Sequence, residues 1–85
     1  MFTNKTKEGR NNLCGEVIRN RRIEMGKSQR QLADMLQIAG LDIDKNAVQR
    51  IESGKRFVTD IELTYVAKVL KLSYQMLLDS TNSEK

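Results

Sequence analysis

The stretch SQRQLADMLQIAGLDIDKNAVQRIESG, running from Ser28 to Gly54, decides the fold. It holds two helices written in one grammar. Ser28 stands three residues before Gln31, which predicts a capping box: each side chain takes up a backbone amide that the first helical turn leaves unpaired. Leu32, Met35, Leu36 and Ala39 follow at helical spacing, and Gly40 ends the helix in a left-handed conformation that costs glycine little. Asp44 then predicts a second start, because its carboxylate accepts from first-turn amides and suits the positive helix end. Ile43 and Val48 are spaced for a hydrophobic staple across that start. Val48 and Ile51 point inward, Gly54 ends the helix, and Lys45, Asn46, Gln49 and Arg50 are left on the other face.

Working outward, Leu13, Val17, Ile18 and Met25 predict a first helix from Asn12 to Met25, stopped by Gly26. Cys14 falls in its first turn and reads as a small buried hydrophobe. A redox-sensing role would need an accessible thiolate there. Downstream, Thr59 with Glu62 repeats the capping box and Val58 with Leu63 the staple, ahead of the stripe Leu63, Val66, Ala67 and Leu70. A last helix begins after Ser73 and carries Met76, Leu77 and Leu78. No strand pattern, internal repeat or low-complexity stretch interrupts this series. The expected fold class is all-α: five short helices in one domain over residues 12–79, between a flexible polar tail at 1–11 and another at 80–85. The first tail reads as solvated; its alternative is a basic arm touching DNA phosphates through Lys5, Lys7 and Arg10.

Composition narrows the chemistry. Eighty-five residues make one domain with a limited core. A single cysteine rules out an internal disulfide, and with no histidine the usual Cys/His zinc site cannot form, so no metal is expected. Apolar runs are too short to span a membrane, and Met1 to Arg10 lacks the apolar core of a signal peptide, so a cytoplasmic location is expected. With no histidine, no phosphate loop and no tight carboxylate pair, neither an enzyme nor a cofactor is expected. The balance of 15 Lys+Arg against 11 Asp+Glu leaves a net charge of +4, by itself a weak pointer to nucleic acid. Its distribution says more: Arg19, Arg21, Arg22, Lys27 and Arg30 face only one acid, Glu24, over that span. Non-specific RNA binding would call for more aromatic side chains than two Tyr and two Phe.

Two helices joined by a tight connection, the second apolar inside and polar outside, form the helix-turn-helix pattern. A reading helix must fit a major groove about 12 Å wide with side chains that reach base edges. Lys45 and Arg50 suit guanine, Asn46 and Gln49 suit adenine, and Ala47 is small enough to touch a thymine methyl. An ordinary solvated helix face carries the same residue types, and face composition alone does not choose between the two.

The pair Leu32-Ala33 with Leu36, the run from Val48 to Lys55 (VQRIESGK) and the later Leu63, Ala67 and Leu70 resemble the Cro/CI-type, or XRE-like, repressor family over about Ile18 to Leu78. The resemblance implies a five-helix phage-repressor-like fold in which helices 2 and 3 form the DNA-reading unit. It implies that Gln29 contacts a phosphate and braces the reading helix, with Arg30 in the same phosphate-contacting turn. It also implies base reading by Lys45, Asn46 and Arg50, phosphate contacts from Lys55 and Arg56 in the loop after helix 3, and a structural pair, Arg22 with Glu52, joining helix 1 to helix 3. Two features depart from the family pattern. Residues 37–43 lengthen the connection between helices 2 and 3, which marks a long-turn variant. Lys27 replaces an apolar residue, and its stem would cover apolar surface with the ammonium in water.

The expected function is a sequence-specific double-stranded DNA-binding transcriptional regulator, a repressor or controller, bound as a homodimer to two half-sites roughly 34–36 Å apart. Tyr74, Met76, Leu77 and Leu78 of the last helix are either the dimer surface or core. The alternative is a protein-binding module, such as an antitoxin-like partner with secondary DNA binding. The few residues after the last helix and the basic residues around helices 2 and 3 speak against it.

Overall fold

Side chains lying within three residues of the helix starts decide where most of the chain turns helical. The computed structural model describes residues 9–78, which form α1 (Gly15–Glu24), α2 (Gln29–Ala39), α3 (Lys45–Ser53), α4 (Asp60–Leu70) and α5 (Tyr74–Leu78). No strand occurs among the described residues. At α2, Ser28 Oγ accepts from the Gln31 amide at 3.0 Å while Gln31 Oε1 accepts from the Ser28 amide at 2.8 Å. Thr59 and Glu62 make the same reciprocal pair at α4. Asp44 Oδ1 accepts from the Ala47 amide at 2.8 Å and starts α3. Each cap of this kind is worth about 1 kcal/mol.

The first helix starts later than its apolar spacing predicts, at Gly15 rather than Asn12. Asn12, a buried polar side chain, is the reason. Its Oδ1 accepts from the Gly15 amide at 2.9 Å, and its Nδ2 donates to the carbonyls of Ile51 at 3.0 Å and Arg56 at 2.8 Å. Those three bonds hold residue 12 outside the helix and turn the chain into it. Leu13 therefore leaves the apolar stripe and lies exposed, while Cys14 becomes the N-cap residue rather than part of the first turn and is buried. Arg10 and Asn11, read from sequence as tail, also bond to the body of the domain. Lys5 and Lys7 lie outside the described residues, as does the C-terminal stretch from residue 79.

The core is built by α1 packing on α3, α4 and α5, α2 on α3 and α4, and α4 on α5. Ile18, Leu32, Leu36, Val48, Val66, Leu70 and Leu77 lie at its centre. In α2, Ala33 is buried beside Leu32 and Leu36, whereas Met35 and Ala39 are half-buried. From α5 only Leu77 enters the core; Tyr74, Met76 and Leu78 stay exposed.

The long connection between α2 and α3 is a pinned turn. Gly40, at φ 117°, lets its own amide reach the Gln37 carbonyl at 3.0 Å and the Leu41 amide reach that of Leu36 at 2.9 Å. The side chain of Tyr65 packs so close that a Cβ on Gly40 would stand 3.3 Å from its ring. Ile43 is buried in the core, and Gln37 Nε2 donates to its carbonyl at 2.6 Å. Anchored at both ends, the turn sets the angle at which α3 leaves α2.

Candidate nucleic-acid interface

The two faces of α3 differ in kind. Inward, Val48 and Ile51 are buried, and so is Glu52, at 5% exposure. Glu52 is met by three donors: Arg22 Nε at 2.8 Å, Arg22 Nη2 at 3.0 Å and Gln29 Nε2 at 3.1 Å. The guanidinium forks onto both carboxylate oxygens, the strongest geometry for such a pair. Arg22 Nη1 also donates to the Lys27 carbonyl at 2.8 Å. The hydrogen bond to Glu52 raises the Arg22 pKa above its ordinary value, against the opposing effect of burial. One carboxylate thereby ties α1 and the first turn of α2 to α3.

Outward, Lys45, Asn46, Gln49 and Arg50 are all exposed, and among the described residues none of their side chains is held by an ion pair or hydrogen bond. At about 100° per residue these positions share one stripe, and position 53 falls within it. Ser53 is exposed, with its Oγ donating to the Arg50 carbonyl at 3.2 Å. Asn46, Gln49, Arg50, Ser53 and Lys55 line a single open cleft. Sequence reasoning missed Ser53, although its place four residues after Gln49 marks it as part of the same face.

Other expected contacts fall elsewhere. Ala47 is half-buried and packs against the core, so its side chain leaves the outward stripe. Gln29 donates one N–H of its amide inward to Glu52 at 3.1 Å, which fits the bracing role. Arg56 is drawn inward as well: its Nη1 and Nη2 each donate to an oxygen of Glu62 at 2.9 Å. That bond raises the Arg56 pKa and holds Glu62 below the usual carboxylate range. Lys55, its neighbour, remains exposed without an ion pair among the described residues, and so does Arg30 at the start of α2. The cationic rim of α3 is therefore Arg30 and Lys55, with Arg56 neutralised.

Burial pushes the Cys14 thiol up to about 11, which makes thiolate chemistry unfavourable at neutral pH. Among the described residues no group of three His, Cys, Asp or Glu stands together as a metal site, and no helix is long and apolar enough to cross a membrane.

Compared with known families, residues 18–77 match the helix-turn-helix family model, a stretch running from the middle of α1 to the buried Leu77 of α5. No curated protein and no solved structure matches the chain. The matched family is one of DNA-binding regulators and not a catalytic one. The chain belongs to the XRE-like, Cro/CI-type helix-turn-helix family of DNA-binding regulators.

Proposed function

We propose that the protein is a sequence-specific transcriptional regulator, a repressor or controller, that reads duplex DNA with the outer face of α3 in the major groove. One observation carries this reading: four side chains with base-pairing chemistry stand exposed, with no partner among the described residues, on a helix whose opposite face is anchored through buried Glu52. An anchored helix presents its donors and acceptors in one orientation, so less freedom is lost on binding. Arg50 and Lys45 donate to guanine O6 and N7, and Asn46 and Gln49 offer adenine a donor and an acceptor each. Lys55 and Arg30 flank this face as phosphate contacts, which fix register without reading sequence. A single domain offers few base contacts, so two copies binding two half-sites complete the proposal. The exposed apolar side chains Tyr74, Met76 and Leu78 of α5 are the surface offered for pairing.

The test is selection of bound sequences from a random duplex pool, followed by affinity of the winner at two salt concentrations. A short inverted repeat whose binding survives moderate salt supports a dimeric reader. Enrichment of nothing, with binding that vanishes as salt rises, would leave only a basic surface and turn the reading toward a protein-binding module.

A further inference from the structure

Three consecutive residues in front of α1 take up the carbonyl groups at and beyond the end of α3. The helix end itself pairs the Gly54 amide with Ile51 at 3.1 Å and the Lys55 amide with Arg50 at 2.9 Å, the motif that a left-handed residue (Gly54, φ 85°) permits, and the Arg56 amide also reaches Arg50 at 3.3 Å. It leaves the Glu52 carbonyl and those of residues 54–56 to find other donors. Arg10 Nη2 donates to the Glu52 carbonyl at 2.8 Å and, less closely, to that of Ile51 at 3.5 Å. The Asn11 amide donates to the Gly54 carbonyl at 2.7 Å, and Asn11 Nδ2 to that of Lys55 at 3.0 Å. Asn12 Nδ2 joins Ile51 to Arg56, as described above. A guanidinium on the last carbonyls of α3 also meets the negative end of the helix dipole. The fit is close on both sides. A Cβ at Gly54 would stand 2.8 Å from the guanidinium carbon of Arg10, and one at Gly15 would collide with the Ile51 carbonyl oxygen.

Lys55 lies where this segment meets the reading face. Its carbonyl is held by Asn11, and the residue borders both the cleft of Asn46, Gln49 and Arg50 and a neighbouring one lined by Arg10, Asn11 and Glu16. We propose that residues 10–12 form a clasp that positions Lys55 for a DNA phosphate, with Arg10 as its central positioning residue. This rests on the assignment of α3 as the DNA-reading helix. A loop after a helix end is otherwise among the first parts of a domain to open. The clasp orders it beforehand, so phosphate binding does not bear that entropy. Arg10 acts through Lys55 and makes no DNA contact of its own.

A double-mutant cycle of Arg10→Ala and Lys55→Ala tests this, on the duplex selected by the wild-type chain, at two salt concentrations and at a temperature where every variant stays folded. Arg10→Ala is expected to weaken binding about tenfold, and to add nothing when Lys55 is already alanine. Asn11→Ala, which removes the donor to the Lys55 carbonyl, is the milder second variant with the same expected non-additivity. Additive losses, with the salt slope dropping by about one for each substitution, would make Arg10 a direct phosphate contact and overturn the proposal. So would wild-type affinity in Arg10→Ala. Amide exchange gives a readout without DNA: the Lys55 and Arg56 amides, bonded to the Arg50 carbonyl at 2.9 Å and 3.3 Å, should exchange faster in Arg10→Ala while α2 amides keep their rates. Unchanged exchange alongside intact DNA binding overturns the clasp alone. A wild-type chain that selects no duplex overturns the DNA reading and the clasp's role with it.

Discussion

Glu52 keeps a carboxylate at 3% side-chain exposure, where an unpaired charge would be strongly disfavoured. Arg22 and Gln29 replace the water it has lost. Removing one partner of such a pair strands the other charge, at about 3–5 kcal/mol, whereas an exposed pair is worth about 0–1 kcal/mol. Arg22→Ala is expected to lower the unfolding free energy by the larger amount in a urea titration; a loss under about 1 kcal/mol would put the pair with exposed ones. On the opposite face, Arg50→Ala should weaken binding to the preferred duplex by about 1–3 kcal/mol and relax one base position. Lys55→Ala should instead weaken all sequences alike and flatten the salt slope by about one. If competition assays show both variants losing equally on every sequence, α3 does not read bases directly. Glu62 gives a pH signature. Its hydrogen bond to Arg56 lowers its pKa from the ordinary 4.5. A carboxyl with a depressed folded pKa stabilises fully above the unfolded value, and that contribution disappears as pH falls through the folded one. Glu62→Gln should therefore flatten the acid limb of the stability curve below about pH 4.5, followed by urea titration across pH. An unaltered limb would assign the acid sensitivity to other carboxylates.

Among the elements, α5 depends most on its neighbours. Five residues are too few to form a stable helix alone, since nucleation outweighs so few bonds. Ser73 starts it, with its Oγ accepting from the Met76 amide at 3.1 Å, and Leu77, fully buried, fastens it to α1 and α4. Leu77→Ala is expected to cost about 2–5 kcal/mol, with loss of α5 amide protection. Met76→Ala, at an exposed neighbour, should stay within about 0.5 kcal/mol in the same titration. Equal costs would mean that α5 packs by more than one side chain. α1 shows a different dependence, because its start is set by Asn12 bonds reaching the end of α3. Loosening either end therefore loosens the other.

For the whole molecule, the net charge of +4 favours encounter with DNA but gives no register. Under the proposed function, register would come from the orientation of α3, which the Glu52 bonds, the pinned turn at residues 40–44 and the Arg10 bond to the Glu52 carbonyl constrain. Under the same proposal, pairing of two domains through α5 would set the half-site spacing. Met76→Glu, introducing a charge into that apolar surface, is expected to abolish dimerisation in sedimentation runs and preference for inverted repeats, with thermal stability retained. An unchanged sedimentation coefficient and half-site preference would move the dimer surface away from α5.

The starts of α2, α3 and α4 were legible from the chain because caps act between residues three apart: Ser28 with Gln31, Asp44 with Ala47, Thr59 with Glu62. The outer stripe of α3 was legible too, since helical periodicity alone separates Lys45, Asn46, Gln49 and Arg50 from Val48 and Ile51. The start of α1 was not, because Asn12 is held by carbonyls 39 and 44 residues away. Motif position likewise assigned Arg56 to a phosphate, yet packing sets the Glu62 carboxylate against its guanidinium. A cation's place in a motif gives its reach, but a nearby carboxylate in the folded chain decides whether its charge remains available, and only the packing of the helices brings that carboxylate into place.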